Sequence, residues 1–198
     1  YPGSSPDLVF QQGALAFLKK DYSLAQKFFR EAARRASETT AENALFNENL
    51  AALNANDASG AAALIKEASG SSRLRESILF EQAHYAAKRM APQAAELLAN
   101  FITLAETPAL KTQARLDQAE VALNLNPPDL ETVQAILPLL EKEQLSPEQT
   151  MQLARLNILE EESRQEWPSA IQSCRRAIAL DSEGKQANML YLKLGEHI

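Results

Sequence analysis

The chain has 198 residues, 26 acidic and 20 basic, giving a formal net charge of −6 that disfavours the net basic face a nucleic-acid footprint needs. Alanine (34) and leucine (29) supply about a third of it, while valine and isoleucine together supply 11, a balance that argues for helices and against sheets. One cysteine, Cys174, excludes an internal disulfide or a structural zinc site, and charged or amide residues interrupt every apolar run before it reaches membrane-spanning length.

Apolar residues recurring at i, i+3, i+4 and i+7 predict eleven helices, over about 6–19, 22–36, 40–54, 57–68, 72–89, 91–105, 108–124, 129–143, 147–163, 168–180 and 184–197. Start signals support the divisions. Ser5-Pro6, Thr107-Pro108 and Ser146-Pro147 each set a capping hydroxyl before a proline at the first helical position. Gln149, three residues after Ser146, closes a capping box. Pro138 falls inside the eighth helix, where a kink or break is expected from the lost hydrogen bond and the ring clash. Asn126-Pro127-Pro128 lengthens the loop before that helix, so the stacking there is expected to be irregular.

The pattern repeats. Phe10 to Phe17, Phe46 to Leu53, Phe80 to Ala87 and Leu116 to Leu123 align without gaps, starting 36, 34 and 36 residues apart. Each opens on a large apolar residue followed by two polar ones. A second helix follows each, opened by Asp21 to Ala25, Asp57 to Ala61, Pro92 to Ala94 and Asp129 to Val133, with a fifth such helix after Trp167 to Ala170. The unit is therefore a pair of helices, and the chain holds five pairs and one helix more.

These residues resemble the tetratricopeptide repeat (TPR) family. Gly13, Asp21-Tyr22, Ala25, Phe29 and Ala32 match its pattern best, Ala170 and Ala177 match it in the fifth repeat, and the middle repeats match more loosely, with Asn49 in the usual glycine's place. The resemblance implies an all-α right-handed superhelical solenoid of stacked antiparallel pairs. It would form one domain over 7–198 after a flexible segment at 1–6. It further implies a non-enzymatic scaffold that binds a peptide or partner helix in its concave groove, as part of a larger protein or assembly. The alternative is an architectural or self-associating spacer with an empty groove.

With Gly13 at the family's eighth position, the groove-facing residues implied are Phe10, Ala14 and Phe17; Phe46, Leu50 and Leu53; Phe80, His84, Ala87 and Lys88; and Leu116 and Glu120. Phe10, Phe46, Phe80 and Leu116 then form either an apolar ladder for a peptide or packing between repeats. Asn47 fits one asparagine of the clamp with which some family members grip a C-terminal carboxylate. Phe10 and Ala14 stand where that clamp needs its lysine and other asparagine, so no such clamp is expected.

No glycine-rich phosphate loop, nucleophile elbow or Cys/His cluster is present, so no cofactor is expected. Glu81 and His84 have metal-site spacing but lack the second motif such a site requires, which favours a solvated helix face. Cys174 falls on an apolar stripe and reads as a small buried hydrophobe. The basic Arg30, Arg34 and Arg35 and the acidic Glu160 to Glu162 read as solvated faces of opposite sign.

In the last helix, Leu190 and Leu194 are expected to form an exposed stripe, a possible homodimer surface. The chain starts at Tyr1 without a methionine, as a mature exported form or a piece of a longer chain would. Alanine- and glutamine-rich modules of the resembled family often serve bacterial envelope systems, which leans the reading toward an exported protein.

Overall fold

Unbranched side chains and well-placed caps make this an all-helical molecule. The computed structural model describes residues 5–181, 190–192 and 195. Among them are ten α-helices and one 3-10 turn, and no strand. The helices are α1 (Pro6–Leu18), α2 (Tyr22–Arg35), α3 (Glu38–Asn54), α4 (Ala58–Glu67), α5 (Ser72–Lys88), α6 (Ala94–Leu104), α7 (Pro108–Leu123), α8 (Leu130–Leu140), α9 (Pro147–Ser163) and α10 (Trp167–Leu180). The predicted bounds agree to within one or two residues at most ends.

The starts follow from side-chain oxygens that satisfy the first free N–H groups. Ser5 accepts from the Leu8 amide at 3.3 Å, so 5–6 belong to the structured start of α1. Asp57 accepts from the Gly60 amide at 2.9 Å, and that bond, followed by the Ser59 hydroxyl, holds its carboxyl below the ordinary aspartate value. Ser146 and Gln149 form the expected capping box. Lys20, Asn56, Met90 and Gln165 share a left-handed conformation (φ 50 to 62°) after α1, α3, α5 and α9, so four of the turns within pairs have one geometry.

Two ends depart from the prediction. Pro138 does not break α8 in its middle; the helix runs through it and ends two residues later at Leu140, where only one carbonyl bond is forgone. α6 starts at Ala94 because Pro92 and Gln93 are in the preceding turn.

The chain forms two compact units, Tyr1–Tyr85 and Ala86–Ile198. In the first, α2 lies between α1 and α3. Phe29, 1% exposed, packs with Ala16, Ala25 and Ala51, and Ala32 packs with Val9 and Ala44. The Phe29 ring comes so close to α1 that a Cβ on Gly13 would lie 2.8 Å from two ring carbons. In the second unit Leu116 and Ala119 of α7, Val133, Ile136, Leu137 and Leu140 of α8, and Leu153 and Leu156 of α9 form one core. Met151 and Ile158 of α9 pack with Cys174, Ala177 and Leu190. Cys174 is fully buried there, as its place on the stripe indicated.

The charge runs are not simply solvated. Arg30 donates from Nε to Glu48 at 2.8 Å and also pairs with the more exposed Glu67. Burial, the largest influence, raises the Glu48 carboxyl above its usual value in spite of the guanidinium beside it. Glu160 is buried and accepts from Gln134 and Arg164, and the neighbouring Glu161 accepts from the Ser173 hydroxyl at 3.0 Å.

Leu190 is fully buried, so it serves the core and not an exposed assembly stripe. Leu194 and most of the predicted eleventh helix lie outside the described residues.

Two stability outcomes follow. Gly13→Ala, a change worth up to ~1 kcal/mol in favour of an exposed helix, is expected to destabilise by about 1 kcal/mol or more, because overpacking against Phe29 outweighs propensity. Arg30→Ala is expected to cost about 3 kcal/mol at neutral pH by leaving Glu48 buried and unpaired, and Glu67→Ala at most about 1 kcal/mol. Because the folded-state value of Glu48 is raised, this carboxyl favours the fold only below its unfolded value and opposes it as pH rises. The Arg30→Ala penalty should therefore shrink toward pH 4, as urea unfolding at pH 4 and pH 7 would show.

Candidate functional site

The second unit carries a polar face built on its first helices. Along α7, Gln113, Asp117, Glu120 and Asn124 recur at i, i+4, i+7 and i+11, and along α9 Glu148, Gln152, Arg155 and Leu159 do the same. Each set lies on one side of its helix. The adjoining sides of both helices, about a quarter-turn round, are committed to the core through Leu116, Ala119, Leu153 and Leu156, and this fixes the rotation of the polar stripes.

The amides along these stripes form a connected network. The Ser146 amide donates to Gln149 Oε1 at 3.1 Å, and Gln149 Nε2 donates to Gln113 Oε1 at 3.2 Å. Gln113 Nε2 in turn donates to Gln152 Oε1 at 3.1 Å and to Asp117 Oδ1 at 3.2 Å. Gln152 Nε2 donates to Glu120 Oε2 at 3.2 Å. At the end of α5, Lys88 Nζ lies 3.5 Å from Glu120 Oε2 and 4.0 Å from Asp117 Oδ1. Its side chain is half exposed while that of Asp117 is buried, so the lysine adds its charge to the Gln113 amide in meeting a carboxylate held in the interior.

Beside the network lies a groove of about 160 Å³ lined by Lys88, Glu120, Glu148, Gln152, Arg155, Leu156 and Leu159. Among the described residues neither Arg155 nor Glu148 has an ion-pair partner. The groove thus offers amides already oriented by one another, one cation and one anion with unused charge, and a leucine floor.

Of the residues expected to line a groove, Lys88 and Glu120 come together here. Of the apolar row two members are buried and two, Phe10 and Phe46, are half-buried. Leu116 is fully buried and Phe80 is 8% exposed, its ring stacked on His84 with centroids 5.4 Å apart. Phe10 packs edge-on against Phe29 at 5.2 Å, and Phe46 packs on the core around Leu64 and Ile78. Three of the four are followed three places on by a small residue, Gly13, Ala83 or Ala119, and Phe46 by the buried Asn49. Asn47 Nδ2 donates to the Asn43 carbonyl of its own helix, and Leu50 and His84 are half-buried.

Gln113, Asp117, Glu148, Gln149, Gln152 and Arg155 were missed by reasoning from the aligned apolar residues. The polar recurrence along α7 and α9 is the signal that marks them.

Among the described residues no three His, Cys, Asp or Glu side chains gather to hold a metal, and no helix is long and apolar enough to cross a membrane. No protein-family model, curated protein or solved structure matches the chain. The packing predicts that Phe80→Ala and Leu116→Ala each lower stability by about 3 kcal/mol, measured by urea unfolding.

Proposed function

We propose that this chain is a tetratricopeptide-like scaffold without catalytic activity. Its helix pairs stack into a right-handed superhelix, and the polar face of α7 and α9 holds an extended segment of another protein. The observation that carries the reading is the amide chain from Gln149 through Gln113 and Gln152 to Glu120, laid beside a leucine-floored groove.

An extended peptide exposes a donor and an acceptor on every residue, and each glutamine amide can meet both. Exchanging a half-buried glutamine–glutamine bond for a glutamine–backbone bond costs little, since the net worth of such a bond is only about 1 kcal/mol. The apolar floor supplies the area term, and Arg155 and Glu148 supply selectivity. Seven residues apart on α9, these two lie about 10 Å from each other along the helix axis. That distance suits opposite charges about three residues apart on an extended strand.

Selection of an eight-residue random peptide library on the intact chain tests this. The expected outcome is enrichment of peptides whose affinity falls at least about tenfold in the Gln152→Ala, Arg155→Ala double variant, with its thermal midpoint unchanged. Absence of enrichment, or binders indifferent to that variant, overturns the reading.

A further inference from the structure

A second surface of the same unit lies on the turns at one end of its first helices. α7 and α9 run side by side in the same direction, since Gln149 meets Gln113 and Gln152 meets both Gln113 and Glu120. The end of α5 joins them through Lys88, 3.5 Å from Glu120. The turns that follow these three helices therefore gather at one end of the unit.

Each turn exposes one large apolar side chain. Met90 is 43% exposed, Leu125 45%, and Trp167, the first residue of α10, 44%. Pro92, Pro127, Pro128 and Pro168 are exposed beside them. In the first unit the corresponding turns read Lys19-Lys20-Asp21 and Ala55-Asn56-Asp57, as turns facing water ordinarily do. Charges on the apolar turns are mostly engaged where they stand. Arg164 pairs with Glu166 at 2.6 Å, and the Asp129 carboxylate accepts from the Thr132 amide and hydroxyl at 3.1 and 2.6 Å. Arg89 adds one exposed cation at the edge of the row, and Asn126 and Gln165 add exposed amides.

Spacing selects the occupant. Helices packed side by side stand about 8–10 Å apart, so the apolar points follow one another at about that interval. An α-helix laid across them repeats its face every ~5.4 Å, and same-side residues of a β-strand recur every ~6.6 Å. Either would set most of its side chains between the points. A polyproline II segment presents the same side at every third residue, about 9.3 Å along. Its carbonyls make no internal hydrogen bonds and are open to amide donors, and its preset backbone has little freedom to lose on docking. A bilayer or a second copy calls for a continuous apolar area, whereas here amides and Arg89 stand among the apolar points.

The geometry points to the row Met90, Leu125 and Trp167 as a docking site for a proline-rich segment of a partner protein, with proline at every third position. One proline rests on each turn, that at Trp167 against the indole, and Asn126 and Gln165 donate to the segment's carbonyls. This site goes beyond the peptide reading of the α7 and α9 face and does not depend on it.

The test uses the intact chain and the emission of Trp167, its single tryptophan. A neutral twelve-residue peptide with proline at every third position is titrated in, and beside it a rearranged peptide of the same composition with its prolines at alternate positions. Expected is a saturable change in emission with the first, and an affinity at least about fivefold weaker for the second. Met90→Ser with Leu125→Ser should weaken binding at least about tenfold. Both side chains are exposed, so circular dichroism should report the same midpoint in that variant. If the midpoint falls, Leu125→Ser alone serves instead, with an expected loss of about threefold. Gln152→Ala with Arg155→Ala should leave the affinity unchanged; if it weakens binding as much as the serine variant, the peptide occupies the α7 and α9 face and the proposal fails. No saturable change, equal affinity for the two peptides, or indifference to the serine variants overturns it. So does a concentration-dependent dimer that the serine variants dissolve, or a blue shift of Trp167 on phosphatidylcholine vesicles that they prevent.

Discussion

The close approach of Phe29 to Gly13 sets the geometry of the first helix pair, and comparable small residues set it along the chain. A ring laid on a residue without a side chain brings two helix axes nearer than two ordinary side chains would allow. Ala25, Ala61, Ala94 and Ala170, each 0 to 4% exposed, occupy the same place in four of the second helices. Once these crossings are fixed, the rotation of each first helix about its axis is fixed as well. Most of its large apolar residues turn into the core, Leu8, Leu15 and Leu18 of α1 being the exception, and its remaining stripe turns outward.

That division explains why the polar face of α7 and α9 is orderly. Gln113, Gln149 and Gln152 reach one another because the backbones beneath them are held by Leu116, Val133, Leu153 and Leu156. Long amide side chains lose considerable rotamer freedom when ordered. A rigid helical base with mutual hydrogen bonding incurs that loss before any ligand arrives, which favours recognition by preorganisation. The first unit treats its polar groups differently. Its buried Glu48 answers to Arg30, and Gln82 Nε2 is shared between Asn49 and the Ala61 carbonyl, so these groups lock helices together.

Much of the fold was legible because it rests on local rules. Ser5, Asp57 and Ser146 cap where short polar side chains should, and the apolar spacing fixed each helix within a turn. The candidate site was harder to read. Phe10, Phe46, Phe80 and Leu116 recur at a constant interval, and regular recurrence of large apolar residues is produced by packing as readily as by binding. Burial separates the two, and burial depends on which helix lies opposite, information that is not local. Leu190 illustrates the same limit: its sequence neighbours offer no covering helix, yet Met151 and Ile158 of α9, more than thirty positions earlier, enclose it. Lys88 and Glu120 were found because the aligned segments place them on corresponding sides of α5 and α7, where they meet each other.

The burial of Cys174 has a consequence for following the molecule in solution. Its sulfur is the chain's single thiol and is enclosed by Met151, Ile158 and Ala177. A thiol reagent can reach it only when this cluster, which Leu190 also closes, opens. Its modification rate under native conditions is therefore a clock for the opening of that cluster, readable without a substitution.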